Sequence, residues 1–318
     1  MDARVSSIIS EMTDYGVYFD ELGGVLESAR MREEMLGIDK ASLLYRSMET
    51  RVRDLDKVIE SVDKNGRIHE TIDTYGSKTG RMSHSEPNLA GISSEYKIRK
   101  LFKAPSGFSM VGVDAKALEL RMLAHYMNDD EYTKEIVDGD IHATNQMVTG
   151  LKSRNTAKSF IFALIYGAGD KRIGEIIGRT PKEAGLIKRN YYNNNPAFKD
   201  LRDKVIGVSA KGWINGLDGK KIEVEAEYKA LNTLLQSAGA VVMKRALVIL
   251  YDDAMEAGID FHFVLNIHDE FQTEVVKGQE EEFGKMAVNA IVKAGEYYDL
   301  NCPMDAEYYI GENWGLTH

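Results

Sequence analysis

The sequence predicts an α+β fold with an antiparallel sheet and several helical segments. The first observation is the stretch FSMVGVDA, which begins at Phe108 and carries the alternating and β-branched apolar residues of a buried strand. The second is FHFVLNIHDEFQTEV, from Phe261 to Val275, whose apolar flanks predict a buried hairpin. The third is the three- and four-residue spacing of apolar side chains before Val62 and after Asp114, which predicts helices.

Length and composition favour about two domains in an ordinary globular chain. The chain has 318 residues, of which 43% are hydrophobic and 28% charged. No apolar run approaches the roughly 20 residues of a membrane span, and Met1 to Ser10 lacks the apolar core of a signal peptide. Cys302 is the one cysteine, which excludes a disulfide framework. We therefore expect a cytoplasmic protein with no membrane partner.

Charge is segregated along the chain, although the net charge is −10. Residues 152–221 hold 15 Lys/Arg against 6 Asp/Glu, whereas residues 251–318 hold 3 against 15. A basic block is what phosphate binding requires. The acidic block is expected to be mostly a solvated face.

The two segments that precede the Phe108 strand differ in amino-acid composition. Met1 to about Val62 predicts amphipathic helices with mixed charges. Asp63 to Ile92 is rich in Gly, Ser, Thr and Asn and predicts loops or short strands. Arg81 lies in this polar segment, where most arginines are ordinary surface residues.

Three carboxylates follow the predicted strands: Asp114, Asp269 and Glu270. An isolated Asp at a strand end is most often the N-cap of the next helix. A second acidic pair in the same core weakens that interpretation for Asp114. Carboxylates about 4 Å apart repel by several kcal/mol at an effective dielectric constant of about 20. The cluster therefore predicts a binding site for divalent cations.

A single helix face between Ser153 and Gly169 combines cations with aromatic rings. Arg154, Lys158, Phe162 and Tyr166 recur every four residues, and such residues lie side by side on a helix. Lys and Arg bind phosphates, and rings offer a stacking surface for a base. Because the chain has no GxxxxGK[ST] loop, this face is the candidate site for a nucleoside triphosphate. His142 lies in the DGDIH motif (Asp138 to His142), which predicts a turn.

The order of several motifs resembles that of the DNA polymerase I family (family A). Their residues and spacing are most similar to those of the phage replicative branch. They are TGRMS…PNL, VDAKALELRMLAH, DIH, RNTAKSFIFALIYGAG, LNTLLQSAGA and NIHDEFQ. The resemblance covers residues 63–318 and implies a right-hand polymerase fold. That fold has an antiparallel palm sheet, helical fingers and, here, a shortened helical thumb.

The resemblance also implies roles for individual residues. Asp114 and Asp269 match the metal-binding aspartates, with Glu270 as the neighbouring acid and Lys158 as a general acid. Other positions match nucleotide contacts: Arg154, Lys158, Phe162, Tyr166, His142 and, against a 2′-hydroxyl, Glu119. Contacts to primer–template DNA are implied for Arg81, Asn232, Gln236 and His268. The implied cofactor is a pair of Mg²⁺ ions, with Mn²⁺ also possible, and the implied substrates are dNTPs.

Domain boundaries follow from the same resemblance. We expect a truncated thumb over residues 1–65, palm over 66–150 and 226–318, and fingers over 151–225. Only 113 residues precede Asp114, and they carry no exonuclease signature and little of a thumb. Either the enzyme is naturally minimal and distributive, or a separate chain supplies the exonuclease and the rest of the thumb, or a processivity function. We favour the separate chain.

Two positions depart from the family's usual pattern or lie outside its motifs. Lys116 replaces a small hydroxyl residue two positions from Asp114, and we expect it to face the DNA backbone. The C-terminal residues Trp314 and His318 are expected to form a packed tail rather than to reach the active site.

Phe162 occupies a position where a tyrosine in some relatives admits dideoxynucleotides. We therefore predict that the chain discriminates against chain terminators and that Phe162→Tyr relaxes this discrimination. Comparing ddNTP with dNTP incorporation before and after the substitution tests this, and an unchanged ratio would count against it.

Two other functions fit part of the sequence. A single-subunit RNA polymerase shares the paired aspartates and the Arg-Lys helix, but Glu119 and the His-Asp-Glu turn argue against it. A non-catalytic DNA-binding subunit derived from a polymerase is expected to have lost Asp114, Lys158 or Asp269, and all three are present.

Overall fold

A computed structural model describes every residue from Met1 to His318. The chain divides into two compact units. Unit 1 comprises Met1–Lys116, Met243–Ala294 and Asp305–His318, and unit 2 comprises Ala117–Val242 and Gly295–Met304. The four-part division predicted from the sequence stays a prediction.

Helices and strands both contribute to the chain, as the predicted α+β class requires. The helices are α1 (Asp2–Tyr15), α2 (Glu21–Glu34), α3 (Leu43–Glu60), α4 (Tyr96–Arg99), α5 (Leu118–Met127), α6 (Asp130–Val137), α7 (Ile141–Thr149), α8 (Arg154–Ile165), α9 (Asp170–Ile177), α10 (Pro181–Asn194), α11 (Pro196–Ser209), α12 (Ala230–Glu256) and α13 (Glu280–Tyr297). The strands are β1 (Val17–Tyr18), β2 (Arg67–Ile68), β3 (Thr71–Asp73), β4 (Ser83–Ser85), β5 (Phe108–Ala115), β6 (Trp213–Asn215), β7 (Lys221–Glu223), β8 (Phe261–Ile267), β9 (Glu270–Val276) and β10 (Ala306–Gly311).

Unit 1 is built around a four-stranded antiparallel sheet in the order β10-β5-β9-β8. In β5, Met110, Val111 and Val113 are fully buried, which confirms the predicted strand. The predicted hairpin forms β8 and β9, joined at His268 and Asp269. The register places Asp114 of β5 opposite Glu270 of β9. Because side chains directly opposite on neighbouring strands share a face, this register brings acidic groups together.

The N-terminal helices of unit 1 begin where their sequence provides caps. The side chain of Asp20 accepts a hydrogen bond from the Gly23 amide at the start of α2, and Ser42 accepts one from the Tyr45 amide at the start of α3. The polar segment that follows forms the short strands β2 to β4. The predicted helices before Val62 and the predicted short strands after it are thus both present.

Unit 2 contains α5 to α11, the first part of α12 and the β6–β7 hairpin. Helix α8 begins after Ser153, whose hydroxyl accepts a hydrogen bond from the Thr156 amide, and Gly167 follows its end with a φ of 72°. Its inner face is fully buried at Ala157, Ile161 and Ile165. The opposite face is therefore left for the cationic and aromatic side chains.

One helical segment, Glu227–Glu256, is long and apolar enough to cross a membrane by length and composition alone. In the structure, however, 78% of its most apolar window is buried inside the protein. That burial is typical of a core helix, and it accounts for the apolar composition without a membrane.

Candidate active site

The carboxylates predicted to bind metal lie at one end of the unit 1 sheet. Asp114 is the second-last residue of β5, Asp269 lies in the β8–β9 turn, and Glu270 begins β9. The Ala115 amide donates a 3.0 Å hydrogen bond to the Asp269 carbonyl, which ties the turn to the end of β5. The helix that follows begins only at Leu118, after Ala117 in the left-handed region. Asp114 is therefore not a helix cap.

Asp114 and Asp269 are half-buried carboxylates whose surroundings disfavour the ionised form. Burial first, and then the charges of Asp269 and Glu270, raise the pKa of Asp114 to about 7. Burial also raises the pKa of Asp269. Removing a carboxylate from water disfavours its ionised form unless a cation or hydrogen-bond donor replaces the water. These two side chains are therefore poised to accept a cation.

Glu270 differs because protein groups already neutralise it. Its carboxylate accepts hydrogen bonds from Trp314 Nε1 (2.5 Å) and Gln272 Nε2 (2.6 Å), and His318 Nδ1 lies 2.7 Å away. Arg99 Nη1 lies 3.6 Å from the same group. Although burial opposes ionisation, the His318 contact and these neighbours hold the pKa of Glu270 below its usual value.

The donor set fits a hard divalent cation that shares its ligands with a substrate. No group of three or more His, Cys, Asp or Glu side chains is arranged to hold a metal ion. Mg²⁺, however, is usually bound by one or two carboxylates together with waters and substrate phosphates, not by a cage of protein ligands. Asp114 and Asp269 could provide the two carboxylates of such a site.

Lys116 has a different partner from the DNA backbone that we expected. Its ammonium lies 3.1 Å from Asp305 Oδ2 and 3.9 Å from Glu307 Oε2, both in unit 1. Asp305 comes directly before β10 and Glu307 lies within it. These two carboxylates attract the ammonium. The spacing of residues in the sequence did not reveal this contact.

The predicted cationic and aromatic face of α8 is present in unit 2. Arg154, Lys158 and Tyr166 are exposed, and Phe162 is half-buried. Phe162 and Tyr166 meet edge to face with ring centroids 6.2 Å apart. The ammonium of Lys158 forms no ion pair, and its charge is one of those that lower the pKa of His142, after burial and Arg154. This face thus carries two cationic side chains followed by two aromatic rings.

His142 and Asp140 lie beside this face. His142 is in the first turn of α7, not in a turn between elements, and its ring lies 6.5 Å from that of Phe162. The Nδ1 atom of His142 is buried without a hydrogen-bond partner. Asp140 Oδ2 accepts a 2.7 Å hydrogen bond from Arg154 Nε. Sequence reasoning missed Asp140 because the motif alone did not place it against α8.

Glu119 lies in the first turn of α5, where it meets the end of α8. The hydroxyl of Tyr166 donates to the Glu119 carboxylate at 3.1 Å to Oε2 and 3.3 Å to Oε1. Two residues that were predicted separately as nucleotide contacts therefore form one hydrogen-bonded pair. This hydrogen bond joins Glu119 to Tyr166 at the aromatic end of the α8 face.

The predicted DNA contacts fall into two groups. In unit 1, His268 adopts a left-handed φ of 57° in the turn before Asp269, and partial desolvation and the charge of Arg81 both lower its pKa. In unit 2, Asn232 and Gln236 are half-buried one turn apart on α12, and Asn232 Oδ1 has no hydrogen-bond partner. Residues four apart on a helix share a face. Each group thus presents polar atoms side by side.

Trp314 and His318 were predicted to form a packed tail, and only part of that prediction is right. Trp314 is fully buried against Phe102 and under the Arg99 guanidinium, which lies 4.1 Å from its ring. Both Trp314 and His318 nevertheless contact Glu270. The Trp314 contact joins residues 44 apart in the chain. No local pattern in the sequence predicts either contact.

Comparison with protein families gives a match to DNA polymerase family A over residues 24–316. The chain is 34% identical to the DNA-directed DNA polymerase of Enterobacteria phage T3 over 97% of its length, and 33% identical to that of Escherichia phage T7 over 92%. These alignments cover 50% and 48% of the two phage proteins, so the chain spans about half the length of either relative.

A solved structure has a similar fold. The POL domain of Pol1 from M. smegmatis, in complex with DNA primer-template and dNTP, superposes with a TM-score of 0.93 over 99% of this chain and 70% of that one. The sequence identity is 19%, so the likeness concerns the fold.

Proposed function

The chain belongs to DNA polymerase family A, and from that premise we propose that it is a template-directed DNA polymerase that adds dNTPs to a primer 3′-hydroxyl. The observation that carries the proposal is the pair Asp114 and Asp269, two half-buried carboxylates at the same end of the unit 1 sheet, where the Ala115 amide bonds to the Asp269 carbonyl. The two phage relatives named above are DNA-directed DNA polymerases. Both the enzyme class and the acidic site support the same chemistry.

Asp114 and Asp269 would hold the divalent metal ions, Mg²⁺ or Mn²⁺. When bound, two such ions lower the pKa of an attacking hydroxyl and neutralise charge on the leaving oxygen of an in-line displacement. The aspartates contribute the oxygen ligands and the negative charge that concentrates cations at this edge. Glu270, already held by Trp314, Gln272 and His318, fixes the start of β9 beside them.

The exposed face of α8 would bind the triphosphate. Arg154 and Lys158 lie one turn apart and supply charge-assisted hydrogen bonds to phosphate oxygens. Lys158 forms no ion pair, so its ammonium is available to donate a proton or a charge to the leaving pyrophosphate. Burial and the two neighbouring cations lower the pKa of His142, so its imidazole would bind as a neutral hydrogen-bond donor.

Glu119 and Tyr166 would select the sugar. The Tyr166 hydroxyl holds the Glu119 carboxylate in one place. A fixed carboxylate there excludes a 2′-hydroxyl by occupying its space, which favours deoxyribonucleotides over ribonucleotides. Phe162 would then pack beside the base and sugar. Arg81, His268, Asn232 and Gln236 would contact the primer and template strands.

The proposal also includes a partner chain and a cellular location. In this proposal a separate chain supplies the exonuclease, the rest of the thumb or processivity. We also propose that the reaction takes place in the cytoplasm of a bacterial host, since the relatives named above are phage proteins.

Primer extension with dNTPs or rNTPs tests the proposed substrate class. The purified chain is expected to extend a primed DNA template with dNTPs and Mg²⁺ and to use rNTPs poorly. Glu119→Ala should raise ribonucleotide use by roughly 10- to 100-fold relative to dNTPs, the range over which a pocket discriminates by shape. A preference for rNTPs in the unaltered chain would favour an RNA polymerase. Long products from this chain alone would argue against the partner.

A further inference from the structure

Asp140 joins the two helices that carry the proposed triphosphate contacts. Its Oδ1 atom caps α7 by accepting hydrogen bonds from the amides of His142 (3.0 Å) and Ala143 (3.1 Å). Its Oδ2 atom accepts a 2.7 Å hydrogen bond from Arg154 Nε in the first turn of α8. One carboxylate therefore fixes the start of both helices.

The Nε contact determines which edge of the Arg154 guanidinium is available. Arginine carries five N–H donors in a rigid planar fork. The bond to Asp140 uses the single Nε donor, and no other hydrogen bond involves Arg154. The two Nη groups, which can bind two phosphate oxygens at once, are left for a ligand. Without Asp140, a half-exposed arginine side chain would sample many rotamers.

The cap has a comparable effect on His142. Asp140 accepts a hydrogen bond from the backbone amide of His142, so the cap fixes the backbone of that residue. The Nδ1 atom of the His142 ring is buried without a hydrogen-bond partner. Asp140 also remains ionised, since the Arg154 hydrogen bond above all lowers its pKa to about 2. The Asp140 carboxylate is therefore always charged next to Arg154. This is compatible with nucleotide binding only if Asp140 orients the Arg154 guanidinium and does not take the place of the phosphate.

We infer that Asp140 is a positioning residue for the triphosphate, acting through Arg154 and His142 without touching the nucleotide. This inference rests on the proposed function. It explains why this exposed capping carboxylate also bonds to an arginine on another helix, whereas an ordinary cap bonds only to its own helix.

Asp129 offers a matched comparison within the same unit. Its side chain caps α6 by accepting a 2.9 Å hydrogen bond from the Tyr132 amide. It contacts none of the residues assigned to nucleotide binding. Asp129→Ala therefore removes a cap of similar strength, while leaving Arg154 in place.

The test measures binding of a fluorescent dNTP by equilibrium titration, together with KM and kcat for dNTP in primer extension. Asp140→Asn keeps a good capping side chain but removes the charge, and we expect affinity to fall by about fivefold, the upper range for a partly exposed ion pair. Asp140→Ala should cost about tenfold or more, because the cap is lost as well. KM is expected to rise more than kcat falls, and Asp129→Ala should leave KM unchanged.

A double-mutant cycle separates positioning from general stability. In an Arg154→Ala background, Asp140→Asn should have almost no further effect, because Asn keeps the cap at His142 and the arginine on which the charge acts is gone. Equal binding by the wild-type chain and Asp140→Asn would overturn the inference while leaving the proposed polymerase activity intact. Full additivity of the two substitutions would overturn it too. If the wild-type chain bound no dNTP, both the inference and the triphosphate site would fail.

Discussion

Asp114→Ala and Asp269→Ala are each expected to reduce nucleotide incorporation by about a thousandfold or more, since losing a metal ligand removes several kcal/mol of transition-state stabilisation. Binding of primer–template DNA should change little, because neither carboxylate attracts a phosphate backbone. Single-turnover incorporation measures the first effect and fluorescence anisotropy the second. Mg²⁺ should also raise the melting temperature of the wild-type chain, by selective binding to the folded state, and should do so less in either variant.

Asp253→Ala is the matched control for these substitutions. Asp253 is another aspartate of unit 1, and it pairs with Lys293 at 2.7 Å. Its removal should leave both incorporation and the Mg²⁺ effect unchanged. Incorporation at the wild-type rate by either Asp114→Ala or Asp269→Ala would refute the assignment of the metal site.

Arg67→Ala is expected to give the largest loss of stability, about 3–5 kcal/mol, which is the usual cost of leaving a buried charge without its partner. Glu274, in the middle strand β9, is completely buried. Arg67 contacts both of its oxygens, at 3.0 and 3.1 Å, and the Tyr15 hydroxyl donates to it at 2.9 Å. Urea unfolding followed by circular dichroism measures the change in the free energy of unfolding.

A surface pair provides the contrast for Arg67. Lys199 and Asp203 lie 3.0 Å apart with both side chains about half exposed, so Lys199→Ala should cost less than about 0.5 kcal/mol. If Arg67→Ala cost no more than Lys199→Ala, then the Tyr15 hydroxyl or water would be compensating Glu274, and the buried pair would not anchor the N-terminal segment to the sheet.

Local periodicity explains which parts of the fold could be predicted. The apolar pattern of β5, the hairpin of β8 and β9, and the one-sided face of α8 all depend on residues within a few positions of one another. The start of α8 after Ser153 likewise depends on a local contact, the hydrogen bond from the Thr156 amide to the Ser153 hydroxyl. Such features follow from backbone geometry, and they required no knowledge of distant contacts.

Long-range contacts explain what the sequence could not reveal. Asp114 had a possible alternative as a helix cap, and only the left-handed Ala117 before α5 excludes it. The tail residues Trp314 and His318 contact Glu270, and Asp305 pairs with Lys116 across 189 positions. Asp140 likewise meets Arg154 only after α7 and α8 have packed. Each of these pairs is set by tertiary structure, so the residue types alone left the partner open.

The most direct test of the central claim is single-nucleotide primer extension by the purified chain with Mg²⁺. Four primed DNA templates that differ only in the first unpaired base would each be offered one dNTP at a time. We predict that every template directs incorporation of its complementary dNTP and that EDTA abolishes the reaction. Incorporation of the same nucleotide on all four templates, or no incorporation on any, would contradict template-directed DNA synthesis by this chain.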